Sequence, residues 1–296
     1  MEHITVLLHE AITGLEIHKG DVFVDATLGG GGHSALVCET FGKDVQIIGI
    51  DADQDAIART EKRLSGKCKF QSACTNFSEL GKMLDTLKVP TIDRLLFDLG
   101  LSSFQLEESG RGFSFKREEP LLMTMRKESK EDEVTAYDVV NSWGEENLAN
   151  IIFGYGEERY SRRIAKAIVL ARETKLIETT TELAEIIFHA VPGSYRHGKL
   201  HPATKTFQAI RIAVNDELQS IEKAISEGFT RLSSGGRIAV ISFHSLEDRI
   251  IKHFFRQKVS DGLARAITKK PIIPSDEEIT MNPRSRSAKL RIIEKI

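Results

Sequence analysis

The stretch Val22-Phe-Val-Asp-Ala-Thr-Leu-Gly-Gly-Gly-Gly-His-Ser34 decides the fold, because a glycine run directly follows one short β-branched run and precedes an amphipathic segment. Within it, Gly30-x-Gly32-x-x-Ala35 fits the nucleotide-binding fingerprint of a strand, turn and helix. Asp51 ends the next predicted strand, 21 positions after Gly30, where a carboxylate can accept hydrogen bonds from ribose hydroxyls. The turn, its context and the acid together predict a nucleotide site.

The acid just before the turn bears on which nucleotide is bound. A P-loop is excluded, because the sequence contains no Gly-x-x-x-x-Gly-Lys-[Ser/Thr]. Asp25 would repel the pyrophosphate of a dinucleotide, whereas it would attract S-adenosylmethionine, which carries a sulfonium and an ammonium group. Asp25 can alternatively cap the following turn. The residues therefore favour S-adenosylmethionine.

The chain from about residue 20 to 98 alternates β-branched runs with amphipathic segments, which is typical of parallel βαβ units. This pattern predicts half of a doubly wound sheet. The predicted strands are 22–25, 45–51, 67–71 and 92–98, and the predicted helices are 33–41, 54–64 and 77–87.

A charged stretch, 107–133, interrupts this pattern, and strand signals return only beyond residue 232. The simplest account is one α/β sheet interrupted after its fourth strand by a helical insert. We therefore expect a discontinuous sheet domain, 1–106 with 201–296, and a small helical domain, 107–200. The later predicted helices are 136–143, 157–171, 181–189, 204–232 and 246–257, and the later strands are 237–243, 264–268 and 289–293.

Because the net charge is close to zero, a polyanionic partner would have to bind to a local basic patch. The chain has 296 residues, of which 41% are hydrophobic and 28% charged, with a formal net charge of −2. No field of the whole molecule therefore attracts nucleic acid or an anionic membrane. Segment 155–211 has ten Lys and Arg against six Glu, and 281–296 has five against one. Such patches can position a phosphate backbone, although they are also typical of solvated surface.

The cysteines and the N-terminus point to a reduced, cytoplasmic protein. Cys38, Cys68 and Cys74 are too few for a disulfide framework and contain no Cys-x-x-Cys pair. The N-terminus lacks the features of a signal or transit peptide, and no apolar run is long enough to span a bilayer. No group of residues has a recognisable metal-ligand spacing, so no metal site is predicted.

Asp98 is the candidate catalytic residue. It stands at the carboxyl end of the fourth predicted strand, where doubly wound folds hold their reacting groups. A carboxylate there can accept the proton of an incoming amine. A loop-capping role is the alternative.

Seven motifs in register resemble one family, the small-subunit (16S) ribosomal RNA cytosine-N4 methyltransferases, also called the MraW or RsmH family. The resemblance runs from about residue 3 to 291. The motifs are Ala26-Thr-Leu-Gly-Gly-Gly-Gly-His-Ser34, Asp98-Leu-Gly-Leu-Ser-Ser-Phe-Gln-Leu106, Arg111-Gly-Phe-Ser-Phe115, Tyr155-Gly-Glu-Glu-Arg159, His201-Pro-Ala-Thr-Lys-Thr-Phe-Gln-Ala-Ile-Arg211, Ser242-Phe-His-Ser-Leu-Glu-Asp-Arg249 and Asn282-Pro-Arg-Ser-Arg-Ser287.

The resemblance implies a class I, Rossmann-like methyltransferase that uses S-adenosylmethionine to methylate the exocyclic amine of a cytidine in the P-site region of the ribosomal RNA. The substrate would be that RNA, in an assembled or assembling subunit, and a homodimer is left open. The helical domain, 107–200, is expected to be the RNA-substrate domain and to form one wall of the RNA cleft. By position, the cofactor contacts fall on Gly31, Gly32, His33, Asp51, Phe77, Asp98 and Gln105. Candidate substrate contacts are Arg111, Lys205, Arg211, His244 and Ser245.

One segment departs from the family pattern. The family reads Pro-Leu-Asp-Met-Arg-Met-Asp, where this chain reads Pro120-Leu-Leu-Met-Thr-Met-Arg126. The departure keeps open an RNA-binding assembly factor without catalysis, and the glycine turn alone would also suit a nicotinamide-dependent oxidoreductase. Comparing binding of S-adenosylmethionine with binding of NAD separates the oxidoreductase, and RNA binding without turnover identifies the assembly factor.

Overall fold

The computed structural model describes residues 4–126 and 133–296, so the end of the charged 107–133 stretch lies partly outside the described residues. The chain forms two compact units. The sheet unit comprises Met1–Gly100 and Leu218–Ile296, and the helical unit comprises Leu101–Glu217. None of the described helices is long and apolar enough to cross a membrane.

Helices and strands alternate through the first hundred residues. These elements are α1 (Leu8–Leu15), β1 (Val22–Asp25), α2 (Gly32–Phe41), β2 (Gln46–Asp51), α3 (Gln54–Leu64), β3 (Lys69–Cys74), α4 (Leu80–Thr86) and β4 (Ile92–Asp98). The helical segments that follow are α5 (Ser103–Glu107), α6 (Ala136–Ser142), α7 (Glu145–Gly154), α8 (Ser161–Thr174), α9 (Thr180–Ala190), α10 (Gly193–Arg196) and α11 (Ala203–Asn215). The chain ends with α12 (Glu217–Arg231), β5 (Leu232–Ser242), α13 (Ser245–Ser260), β6 (Ala264–Ala266), α14 (Asp276–Met281) and β7 (Lys289–Lys295).

The seven strands found among the described residues form one sheet in the order β3-β2-β1-β4-β5-β7-β6. The first five are parallel to one another, and β7 runs antiparallel to both β5 and β6. The predicted fold class, a doubly wound and mostly parallel Rossmann-like sheet, is confirmed. The order places the carboxyl ends of β1, β2, β4 and β5 at one edge of the sheet.

Apolar layers cover both faces of this sheet. Ile48 and Leu95 join the cluster that packs on α12 and α13, while Ile47 and Leu96 join the cluster that packs on α1 and α2. Adjacent residues enter opposite clusters because side chains alternate across a strand. Burial on both faces explains why these strands are continuous apolar runs in the sequence.

The predicted helix over 204–232 is wrong as a single element. It is divided into α11 and α12 at Asp216, which adopts the left-handed conformation with φ 47° and ψ 43°. Aspartate tolerates this conformation better than most residues, so the amphipathic pattern continues while the axis breaks. The helical unit also extends past the expected 107–200, because Phe207 and Ile210 of α11 pack in its core with Leu148 and Ile152.

The expectation of wholly reduced cysteines is also wrong. Cys38 in α2 and Cys68, just before β3, form a disulfide with their Cα atoms 5.5 Å apart. Cys74 lies outside this disulfide and is exposed. The two bonded cysteines are 30 positions apart, a spacing that carries no recognisable sequence pattern.

Candidate active site

The glycine turn between β1 and α2 brings the backbone close to its neighbours. Gly31 has a φ of +69° and serves as the N-cap of α2, a conformation that favours glycine. A Cβ at Gly31 would lie 2.6 Å from Cγ2 of Thr60, and one at Gly32 would collide with Thr5. The turn therefore has to be built from glycine, and it leaves backbone N–H groups near a helix N-terminus, where ligands can approach closely.

Asp51 fastens this turn to the end of β2. Its Oδ2 accepts a hydrogen bond from Gly29 N at 2.7 Å, and its Oδ1 accepts one from Asp53 N at 2.8 Å. Burial raises the pKa of the carboxyl. Because each carboxylate oxygen has two lone pairs, both oxygens retain capacity for a ligand hydroxyl. This geometry suits the predicted ribose contact.

Asp25 is buried at the end of β1, with 1% of its surface exposed. Its Oδ2 accepts a hydrogen bond of 2.7 Å from the Ser34 hydroxyl, and its Oδ1 accepts a longer one from Thr27 N. Burial is the main cause that raises the pKa of Asp25 to about 6, and the Asp51 carboxylate adds to it. Asp25 thus caps the turn and also adds negative charge to the site, so the two roles expected for it coexist.

Asp98 ends β4, next to β1. Its backbone N donates a hydrogen bond of 2.6 Å to Thr27 Oγ1, and its Oδ2 lies 4.0 Å from His33 Nδ1. Its Oδ1 is buried and accepts no hydrogen bond from any residue in the described ranges. Burial, followed by the charges of Asp25 and Glu247, raises its pKa well above the usual value.

Glu247 is the site residue that the sequence analysis missed. It is 1% exposed, and its Oε2 accepts hydrogen bonds from Phe243 N at 2.8 Å and His244 N at 3.2 Å, just beyond β5. His244 is the N-cap of α13 and forms a capping box with Glu247. The spacing of His244 and Glu247 is the signal that could have revealed this box. Ser245, the first residue of α13, is exposed.

The carboxylates at this sheet edge constrain the ligand. Asp25, Asp98 and Glu247 are close enough for the charges of the other two to raise the pKa of Asp98. A buried carboxylate surrounded by like charges gains most from a cation. The unpartnered Oδ1 of Asp98 provides an acceptor for a donor that the ligand brings. A ligand with positive charge and hydroxyl groups fits this site, and an anionic pyrophosphate does not.

Phe77 lies in the short turn Phe77–Glu79 that follows β3. Its ring meets the edge of Phe97 on β4, with centroids 6.0 Å apart. It is partly buried against the sheet core, so one part of the ring remains open. A partly exposed aromatic ring beside the strand ends can stack on a planar base.

The remaining predicted site residues belong to the helical unit and have partners within it. Gln105 completes a capping box with Ser102. Arg111 donates to the carbonyl oxygens of Thr124 and Met125, at 3.1 and 2.6 Å. Two further cations are also engaged: Lys205 Nζ donates to Glu157 O at 2.9 Å, and Arg211 makes two hydrogen bonds of 2.8 Å to Glu217.

The segment that departs from the family pattern is firmly held. Asn215 accepts from Met125 N at 2.9 Å and donates to Met123 O at 2.7 Å. Met123 is fully buried in the left-handed conformation, with φ 55°, and its N donates to Arg111 O. Arg111 and Asn215 thus both form hydrogen bonds with the backbone of the segment 120–126. These hydrogen bonds do not use the side chains of Leu122 and Thr124, which differ from the family pattern.

Comparisons with known proteins cover both units. A sequence profile of the MraW methylase family matches residues 1–296. Two proteins named ribosomal RNA small subunit methyltransferase H are each 48% identical to this chain. The one from Sulfurihydrogenibium sp. is aligned over 99% of this chain and 98% of its own length, and the one from Persephonella marina over 100% of both. A solved rRNA methylase from Streptococcus thermophilus matches with a TM-score of 0.48 at 13% identity, covering 100% of this chain and 99% of that one.

Proposed function

The chain belongs to the MraW methylase family, and from this premise we propose that it transfers the methyl group of S-adenosylmethionine to the exocyclic N4 amine of a cytidine in the P-site region of small-subunit ribosomal RNA. The motif resemblance identified in the sequence is confirmed by the family match over residues 1–296. The relatives' shared name supports the RNA class, and the carboxylate cluster supports the cofactor.

The sheet unit fits S-adenosylmethionine by the chemistry of its side chains. S-adenosylmethionine supplies an electrophilic methyl group on a positively charged sulfur. The backbone of Gly31 and Gly32 gives close approach, Asp51 accepts from the ribose hydroxyls, and Phe77 offers a surface for the adenine. Asp25 and Asp98 favour the cationic methionyl end. His33 lies beside Asp98 and contributes to the same end of the site.

Asp98 is the residue that orients the amine and accepts its proton. The cytosine amine is a poor nucleophile because its lone pair is delocalised into the ring, so it has to be held in line and lose a proton as the new bond forms. The buried Oδ1 of Asp98 accepts an N–H from the amine. Because its pKa is raised, the ionised carboxylate of Asp98 is a stronger base than that of an ordinary aspartate.

The cysteines argue against methylation at carbon 5 of the base, which requires a thiolate nucleophile. Cys38 and Cys68 are joined to each other. Cys74 Sγ donates a hydrogen bond of 3.8 Å to the carbonyl oxygen of Ala52. Methylation of an amine requires no covalent adduct, so it agrees with this arrangement.

The unpartnered Oδ1 of Asp98, among carboxylates at the sheet edge, is the observation that carries the proposal. We would incubate the protein with methyl-labelled S-adenosylmethionine and unmodified small ribosomal subunits, and measure label in the RNA. Asp98→Ala is expected to lower the rate by about 10²- to 10⁴-fold, the usual contribution of a general base. Asp85→Ala, which alters an exposed carboxylate in the same unit, is the control and should retain the rate.

Two results would contradict this proposal. Near-normal turnover by Asp98→Ala would remove Asp98 from the mechanism. Binding of S-adenosylmethionine and of subunits by the wild-type protein, without any label in the RNA, would favour the non-catalytic assembly factor.

A further inference from the structure

We propose that a basic stripe at the N-terminal end of α8, formed by Arg159 just before the helix and by Arg162, Arg163 and Lys166 within it, is the surface through which the helical unit binds the phosphate backbone of its RNA substrate. This inference rests on the proposed function, because that function supplies the RNA. It goes further by assigning the contact to four named side chains, none of which is among the residues that the motif resemblance marks as substrate contacts.

The four side chains share one face of the chain at the start of α8. The spacing of Arg162, Arg163 and Lys166 puts them on one side of the helix, and Arg159 lies just before it. All four side chains are exposed. The opposite side, with Ile164, Ala165 and Ile168, is buried in the core of the helical unit. At about 1.5 Å per residue, the helical part of the stripe, 162–166, is about 6 Å long. It is therefore a continuous positive surface that faces solvent.

The cations of the stripe lie at the N-terminal end of α8, where the helix dipole disfavours positive charge. Cations are disfavoured in the first turns of a helix, where the dipole is positive, and the first turn of α8 contains no acidic residue. Among residues 4–126 and 133–296, no carboxylate forms an ion pair with any of the four cations. At the other end of α8, by contrast, Lys175 pairs with Glu182 at 2.6 Å. These four cations thus form no ion pair with a carboxylate of the described residues, and the phosphates of a polyanion could pair with them.

Arg159 is held in place before any ligand binds. Its guanidinium lies 4.8 Å from the ring centre of Tyr160 and 5.0 Å from that of Tyr195. The Tyr195 hydroxyl donates a hydrogen bond of 2.5 Å to Glu158, which is fully buried and also accepts from Tyr160 N. Two anchored rings therefore fix an exposed guanidinium, which lowers the entropy lost when it binds phosphate.

The stripe lies within the basic segment 155–211, but it differs from Lys205 and Arg211, the two basic residues of that segment that the sequence analysis named individually as substrate contacts. Lys205 and Arg211 have internal partners, the Glu157 carbonyl oxygen and the Glu217 carboxylate. Arg211 is part-buried, so contact with a phosphate would require breaking its ion pair. The stripe residues can contact phosphate without breaking an ion pair of this kind. Its charge and length suit the backbone of a nucleic acid, which presents regularly spaced phosphates.

The test is the salt dependence of binding to purified small ribosomal subunits, measured without S-adenosylmethionine. The variant replaces three stripe residues, with Arg162→Gln, Arg163→Gln and Lys166→Gln, and leaves Arg159 and its tyrosines intact. The matched control replaces three exposed lysines at the amino end of β3, the sheet edge opposite Asp98, with Lys62→Gln, Lys67→Gln and Lys69→Gln. Binding is measured between about 50 and 300 mM KCl.

We expect the stripe variant to lose at least about tenfold in affinity at physiological salt. The slope of log affinity against log salt should fall in magnitude by about 2 to 3, because each lost phosphate contact removes about 0.7 to 0.9. The control should change the slope by less than about 1. Both variants should bind S-adenosylmethionine as the wild type does, because the proposed cofactor residues of the sheet unit are unchanged.

Three outcomes would overturn the inference: a stripe variant with wild-type affinity and slope, a loss of affinity with an unchanged slope, or an equal loss in the control. The inference would also be overturned if the wild-type protein bound anionic phospholipid vesicles more tightly than it binds small ribosomal subunits. The binding assay needs no turnover, so its result can be interpreted even if methyl transfer fails. Failure of methyl transfer would count against the proposed function only.

Discussion

Replacing Asp25 with asparagine tests whether the buried carboxylate favours a cationic cofactor while lowering the stability of the free protein. In the free protein, burial raises the pKa of Asp25 from 3.8 to about 6. A shift of about two pKa units corresponds to about 3 kcal/mol. The folded state binds the proton more tightly than the unfolded state, so this group stabilises the fold less as the pH rises from about 4 to about 6. Above pH 6 the full cost of the buried charge is present.

Asp25→Asn should remove that cost and keep the local hydrogen bonds. The amide oxygen can accept from Thr27 N, and the amide nitrogen can donate to the Ser34 hydroxyl. We expect the free variant to be about 1 to 3 kcal/mol more stable than the wild type at pH 7.5, and the difference to shrink as the pH falls from 6 to 4. Thermal unfolding at several pH values measures this, with Asp85→Asn as the exposed control, for which we expect a change within about 0.5 kcal/mol.

The same variant should bind the cationic cofactor less well. At an effective dielectric constant of about 20 and a separation of about 8 Å, two unit charges interact by about 2 kcal/mol. We therefore expect the preference for S-adenosylmethionine over S-adenosylhomocysteine, which lacks the sulfonium charge, to fall about 30-fold, as measured by calorimetry. A variant that is less stable at pH 7.5 and keeps the wild-type preference would refute the reasoning.

Two further changes have expected outcomes. Asp51→Ala should weaken binding of S-adenosylmethionine by about 1.5 to 3 kcal/mol for each ribose hydrogen bond lost, and an unchanged dissociation constant in equilibrium dialysis would contradict the ribose assignment. Reducing the Cys38–Cys68 disulfide, which closes a loop of 30 residues, should lower the free energy of unfolding by about 3 to 4 kcal/mol in urea titrations, whereas a double serine variant should not respond to the reductant.

The buried parallel strands were the most predictable part of the fold. β1, β4 and α3 have the same bounds in the sequence prediction and in the structure. Strands that are buried on both faces are short apolar runs that end at polar residues, and Asp53 marks the start of α3 by capping it. The acids Asp25, Asp51 and Asp98 followed from these bounds, because each one ends a strand.

The features that the sequence did not reveal depend on tertiary placement. Asp216 breaks a helix without interrupting its apolar periodicity, and the disulfide joins residues with an unremarkable spacing. Glu247 reaches the site only because β5 brings the start of α13 to the same sheet edge. The basic residues of 155–211 could be counted, but their sum did not distinguish the exposed stripe from Arg211, whose partner Glu217 lies outside that window.

The most direct test of the central claim is to identify the methylated nucleoside. Small subunits that lack the modification would be incubated with the protein and methyl-labelled S-adenosylmethionine, and the RNA would then be digested to nucleosides and analysed by mass spectrometry. The account predicts label in N4-methylcytidine. Label in 5-methylcytidine, or in a nucleoside other than cytidine, would contradict the assignment of Asp98 as the acceptor of an amine proton.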